Sequence, residues 1–149
     1  MTEPDSLVKV YFQLTQDEDG YPPVAVESVW ARPGSDAHVF VVDNVPFFAR
    51  AATLGDTVLT REVDGQFWFE EVLEYSGNSL IRVAFYNREL IEGVRKGLVA
   101  LGCEIEFAEQ YGLLAVSVPA SVNLSDVQEY LQNQAKGREL EYEEPILMQ

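Results

Sequence analysis

The hydrophobic rhythm of the chain changes close to Ser76-Gly77-Asn78. Before that point, short runs of alternating apolar and polar residues are separated by Gly, Pro, Asp and Asn, a pattern of β-strands and tight turns. Residues 7–14 are rich in β-branched and aromatic side chains and predict a first strand. It is broken by Asp17-Glu18-Asp19-Gly20-Tyr21-Pro22-Pro23. Residues 24–31 predict a second strand and 38–42 a third, with Arg32-Pro33-Gly34-Ser35-Asp36 turning between them. After the irregular Asp43-Asn44-Val45-Pro46-Phe47-Phe48, two further strands over 57–63 and 66–74 flank Asp64-Gly65, a strong signal for a two-residue hairpin. Strands at this spacing predict an N-terminal small β-barrel or curled antiparallel sheet over residues 1–77.

From residue 78 the predicted order becomes strand, helix, strand, strand, helix, strand. Residues 80–86 form an apolar strand. Residues 88–101 then place Leu90, Ile91, Val94, Leu98 and Leu101 on one helical face, with Glu89, Glu92, Arg95 and Lys96 off it. Gly102 follows as a C-cap, and Gly93 and Gly97 suit close helix packing. Residues 103–107 and 113–118 are strands. Asn123 or Ser125 caps a helix that ends by Gly137, and residues 139–143 alternate as a last strand. This is the order of a ferredoxin-like βαββαβ unit, so the fold class expected is α+β, with residues 78–149 as the second half. In the usual strand order of that unit the first and third strands are central. They are the ones that read as apolar on both faces, while the presumed edges carry Glu104/Glu106 and Glu139/Glu141/Glu143.

Charge adds the next constraint. The 149 residues include 25 Asp and Glu against 10 Lys and Arg, a net charge of −15. Such a field repels nucleic acid and anionic membranes and speeds encounter with basic partners. Solubility is the plainer account of it. At 47% hydrophobic residues the chain can still build a packed core. No apolar run approaches the ~20 residues of a membrane span. Residues 1–6 have neither the basic start nor the apolar stretch of a signal peptide, so a cytoplasmic protein is expected. A single cysteine, Cys103, leaves no internal disulfide.

Candidate chemistry is sparse. His38 is the only histidine and falls in a strand, where a structural role is expected; no G-x-S-x-G motif accompanies it. One His and one Cys argue against a nitrogen- or sulfur-ligated metal site, and no cofactor is expected. Asp17-Glu18-Asp19-Gly20 resembles the start of a calcium loop, but Pro22 and Pro23 stand where further ligands are needed. Asp43, Glu70 and Glu71 are the carboxylates open to an acid–base reading, although Glu70 and Glu71 point to opposite faces of a regular strand. Alternation also sends Trp68 away from Phe67 and Phe69 and onto one face with Glu70 and Glu74.

Asp17 to Val24 with Glu27 and Trp30, Asp43-Asn44-Val45-Pro46-Phe47-Phe48-Ala49, Gly55-Asp56, Phe69-Glu70-Glu71 and Ser76-Gly77-Asn78-Ser79 together carry a resemblance over nearly the whole chain. The sequence resembles an uncharacterised bacterial family, the DUF four-two-six-five group. The resemblance implies a bacterial, cytosolic origin and brings no catalytic residues with it. By analogy with other small acidic bacterial proteins, the function expected is a non-catalytic immunity protein that occludes a toxin domain, in particular a basic nuclease-like one. Its partner-binding residues would be Asp17, Glu18, Asp19 and Tyr21 in a mobile loop, with Trp68, Glu70 and Glu74. The alternative is a small-molecule-sensing or regulatory module built on the C-terminal half.

Overall fold

The computed structural model describes residues 6–149, and the chain divides into two compact units between Ser76 and Gly77. Secondary structure mixes strands with two α-helices.

The first unit contains β1 (Val8–Gln13), β2 (Val26–Pro33), β3 (Val39–Val42), β4 (Thr57–Val63) and β5 (Gln66–Glu74). Each pairs antiparallel with the next, and β1 also pairs in parallel with β5, so the five-stranded sheet closes on itself. Closure leaves no unpaired edge to template aggregation. Period-two alternation decides what enters the interior. Val10 and Phe12, Val29 and Ala31, Phe40 and Val42, and Val58 form its core, with Phe67, Phe69 and Val72 packed against them. Phe12 and Phe69 stack at 4.7 Å between centroids. Ala49 and Ala52 from the segment between β3 and β4 complete the same core, so that irregular segment is structural. The second strand starts two residues later than the sequence pattern suggests. Ala25 is held in the preceding loop, where its carbonyl accepts from the Leu14 amide at 2.8 Å.

β5 does not keep strict alternation. Its register against β4 slips between Leu59 and Thr60 and again between Thr57 and Val58, so Glu70 and Leu73 are extra residues with no partner position on β4. The inward series is therefore Phe67, Phe69, Val72, and the single face expected for Trp68, Glu70 and Glu74 is replaced by a bulged ribbon on which all three acids, Glu70, Glu71 and Glu74, are exposed.

The second unit contains β6 (Ser79–Phe85), a 3₁₀ turn (Arg88–Leu90) running into α1 (Ile91–Ala100), β7 (Glu104–Ala108), β8 (Leu113–Val118), α2 (Leu124–Gln134) and β9 (Leu140–Ile146). Its sheet has the order β7-β8-β6-β9, antiparallel throughout. Every residue of β8 is buried, and every residue of β6 except Ala84. This is why those two strands read as continuous apolar runs and the outer pair alternate with Glu. Ile81, Val83, Phe85, Leu114, Val116 and Val118 meet Ile91, Val94, Leu98, Leu124, Val127 and Leu131 of the helices in one core. A Cβ at Gly97 would fall 2.0 Å from the Tyr130 hydroxyl, so the Tyr130 ring sits in the space Gly97 leaves on α1, whereas Gly93 has open space around it. Asn123 caps α2, its Oδ1 accepting from the Ser125 amide at 2.9 Å. Burial pushes the Cys103 thiol up to about 11. Among the described residues no helix is long and apolar enough to cross a membrane.

Candidate functional site

The acids of the first unit fall into two groups once their hydrogen bonds are followed. In the first group the carboxylate holds backbone. Glu27, near the start of β2, accepts from the amides of Phe47 at 2.6 Å, Phe48 at 2.9 Å and Ala49 at 2.7 Å. A segment with no ladder of its own has amides that must find acceptors, and a carboxylate offers several lone pairs at once. Asp56, 1% exposed, does the same for Thr53 at 2.9 Å and Ser76 at 2.8 Å. Asn44 accepts from the Trp30 amide at 2.6 Å. Asp17 accepts from Asp19 and Tyr21, both at 2.9 Å, which closes the 17–21 loop together with the Asp17 amide to Tyr21 carbonyl bond at 2.7 Å. The loop expected to be mobile is tied by its own first acid.

In the second group, which is exposed, the carboxylates make no hydrogen bond or ion pair among the described residues: Glu18 and Asp19 in that loop, Glu70, Glu71 and Glu74 on β5, and Asp36 and Asp64 in the turns after β2 and β4. β1 and β5 run parallel with Tyr11 opposite Trp68. The chain leaves β1 into the acidic loop at the same end towards which Glu70 to Glu74 extend, so both segments lie towards one end of the closed sheet. Tyr21 is 48% exposed and meets Phe48 edge-on at 6.1 Å. Leu73 and Tyr75 are exposed alongside the β5 acids and had no signal in the alternation, because the bulge that turns Leu73 outward is not visible in the sequence.

Trp68 is half-buried on the outside of the sheet, tilted against Tyr11 at 5.4 Å. Its cross-strand neighbour on β4 is Arg61. One register step away Lys9 faces Trp30, its ammonium 4.5 Å from the ring centroid. Trp30 is 45% exposed. Tyr11 and Trp68 thus meet between the Lys9–Trp30 pair on one side and Arg61 on the other, an arrangement that sequence reading misses. The pairing of β1 with β5, which assembles it, is a closure across the whole unit.

Among the described residues, groups for other chemistry do not converge. His38 lies 3.6 Å from Glu62, both about half exposed. Asp43 is bonded to the Arg32 guanidinium at 3.2 Å. Among the described residues no group of three or more His, Cys, Asp or Glu is placed to hold a metal ion. Within the first unit a shallow hollow of ≈ 380 Å³ is lined by Gln13, Arg61, Val63, Gln66 and Trp68 among others. In the second, one of ≈ 520 Å³ lies between Ala135, Arg138, Leu140, Glu141 and Tyr142. In that unit the acids in and just before β9 are engaged. Tyr86 donates to Glu141 at 2.8 Å, Asn87 to Glu139, and the buried Arg82 to Glu143 at 3.4 Å. The bond to Glu141, with partial desolvation and that carboxylate's charge, holds the Tyr86 phenol above its ordinary pKa.

A search of curated proteins found no match. Among solved structures the chain is similar to one described as a novel crystal structure of a hypothetical protein from Neisseria gonorrhoeae, with 18% sequence identity, a TM-score of 0.71 and 96% of each chain covered. That likeness establishes a shared fold. The family described as Domain of unknown function (DUF4265) matches residues 27–142, which take in Glu27, Trp30, Asn44, Asp56 and β5. The chain therefore belongs to the DUF4265 family.

Proposed function

We propose that this protein is a non-catalytic acidic binding protein, and in its most concrete form an immunity protein that occludes a basic bacterial toxin domain. The observation that carries the reading is the set of unengaged carboxylates at one end of the closed sheet. Glu18, Asp19, Glu70, Glu71 and Glu74 lie there among exposed Tyr21, Leu73 and Tyr75. Charge is concentrated in the same unit: 14 acids and 4 bases precede Gly77, a net of −10, against 11 and 6 after it, a net of −5. These carboxylates would stand in for substrate phosphates at the site of a basic nuclease-like partner, and their field would speed association. Aromatic and apolar neighbours would supply the desolvated contacts that slow release.

The finer architecture belongs to the same reading. The closed sheet is a small β-barrel, supported by the parallel β1–β5 pairing. The second unit is ferredoxin-like, supported by its element order and its β7-β8-β6-β9 sheet. A regulatory role for that unit is favoured by one feature, the hollow beside Arg138, whose guanidinium suits a small anionic ligand.

Co-expression of the full chain with each product of its neighbouring genes tests the main reading. A stoichiometric complex that weakens steeply with salt is the expected result. Absence of any complex, together with a thermal upshift on addition of small anionic metabolites, favours the regulatory reading.

A further inference from the structure

The sheet of the C-terminal unit ends on one side at β7. Among the described residues β7 pairs only with β8, and every residue of it keeps some exposure. Alternate residues of such a strand turn their backbone N–H and C=O groups away from the sheet. α1 runs beside that edge. Tyr130 of α2 fills the space at Gly97, and its hydroxyl donates to the Gly93 carbonyl at 3.3 Å, so α2 covers the Gly93–Gly97 flank of α1. At 3.6 residues per turn the flank turned away from α2 carries Arg95 and Val99, with Glu92 and Lys96 next to them. Arg95 reaches over the Phe107 ring, 5.9 Å from its centroid, which sets this flank above β7. Between the flank and β7 lies a hollow of ≈ 330 Å³ whose apolar lining is Val99, Ala100 and Ile105. Val99 is 55% exposed there.

We propose that β7 accepts an extended segment of a partner protein as an added strand, with an apolar side chain in this hollow, an acidic one at Arg95 and a basic one beside Glu104. This goes beyond the reading above, which concerns a different partner at the acidic end of the N-terminal unit. Alternation sets the pattern. Ile105 and Phe107 pack towards the helices, which leaves Glu104 on the other face of the sheet. The chain turns directly from the end of α1 into β7, so Val99 and Ala100 lie by Ile105 and Arg95 lies by Phe107. An added strand thus meets a carboxylate beside Glu104, the hollow beside Ile105 and a guanidinium beside Phe107. Arg95, Lys96 and Glu104 make no ion pair among the described residues, so their charges are open to a partner. Glu92 also lines the hollow, one acid against two cations. The segment therefore reads basic, apolar, any residue, acidic when parallel to β7, and the reverse when antiparallel. Charge disfavours a second copy of this chain: β7 paired antiparallel with itself brings another Glu104 and Glu106 onto the same face.

The experiment follows the anisotropy of fluorescein-labelled Ser/Thr-based decapeptides as full-length protein is added. Two peptides carry the core Glu-Thr-Val-Lys or Lys-Val-Thr-Glu. Two more of the same composition carry Lys-Thr-Val-Glu or Glu-Val-Thr-Lys, in which no strand direction satisfies the charges and seats the valine together. The expected result is saturable binding of at least one of the first pair, tenfold or more tighter than either of the second. N-methylation of one alternate set of its amides should abolish binding, and methylation of the other set should leave it within about threefold, because only one set faces β7. Val99→Asp and Arg95→Gln should each weaken binding at least fivefold. Glu18→Lys with Asp19→Lys should leave it unchanged. The proposal is overturned if none of the peptides binds, if the second pair binds as tightly as the first, or if the two methylated sets behave alike. It is also overturned if Val99→Asp and Arg95→Gln, with the circular dichroism of the folded protein, bind as the wild type does. The co-expression result for a basic partner is independent of each of these outcomes.

Discussion

The N-terminal and C-terminal units use their polar residues in opposite ways. In the C-terminal unit the regular elements satisfy their own backbone, and stability comes from apolar packing of two helices on a sheet. Its acids along β9 are engaged one by one by Tyr86, Asn87, Arg82 and Gln128. The N-terminal unit has long irregular connections whose amides have no ladder, and Glu27, Asp56, Asn44 and Asp17 supply the acceptors. Acidity there is partly architecture. Of the carboxylates left over, Glu18, Asp19, Glu70, Glu71 and Glu74 lie towards one end, and the proposed binding surface is built on them.

The comparison breaks most visibly at Glu27. Glu27→Ala strands three amides and should cost on the order of 3–4 kcal/mol, read as a lowered urea midpoint, with Glu27→Gln recovering part of it. A loss below about 1 kcal/mol would show that the carboxylate is not the fastener. Leu98, fully buried under α1, is the counterpart in the other unit. Leu98→Ala should cost roughly 3 kcal/mol through lost transfer energy and the cavity left behind.

Cys103 gives a smaller, pH-dependent contrast. Its folded pKa lies above the unfolded value, so the protonated thiol favours folding below about pH 9, and that advantage is lost as pH rises towards 11. The expected loss is about 1 kcal/mol by pH 10, seen as a steeper alkaline fall in the wild type than in Cys103→Ala. A Cys103→Ala curve that superimposes on the wild type would mean the thiol is not coupled to folding. The smallest effect is expected at the exposed edge. Glu104→Gln on β7 should change stability by less than about 0.5 kcal/mol in a urea melt.

The sequence made the elements legible wherever period alone determines them. Residues 80–86 and 113–118 read as central strands because both faces are buried, and the Leu90–Leu101 stripe marked the first helix. The bulges in β5 were hidden, because a register slip against β4 leaves no local trace; Glu70 and Leu73 look like ordinary strand residues. The roles of Glu27 and Asp56 were hidden for a related reason. Their partners are amides, which have no side-chain signature, and Glu27 lies 20 positions or more from the residues it holds. For the candidate site, the acids of the 17–19 loop could be named from composition. That Asp17 is already occupied depends on the turn it closes, and the meeting of Trp68 with Tyr11 depends on the β1–β5 pairing.

The most direct measurement of the account is the affinity of the co-expressed partner for two charge-reversed forms of the full chain. One carries Glu18→Lys and Asp19→Lys at the free end of the N-terminal unit. The other carries Glu104→Lys and Glu109→Lys in the C-terminal unit, and so has the same net charge. The account predicts that the first form loses affinity by at least a hundredfold, chiefly through slower association, and that the second stays within about threefold of wild type. Equal losses in the two forms, or a loss confined to the second, would contradict the claim that the N-terminal carboxylates form the binding surface.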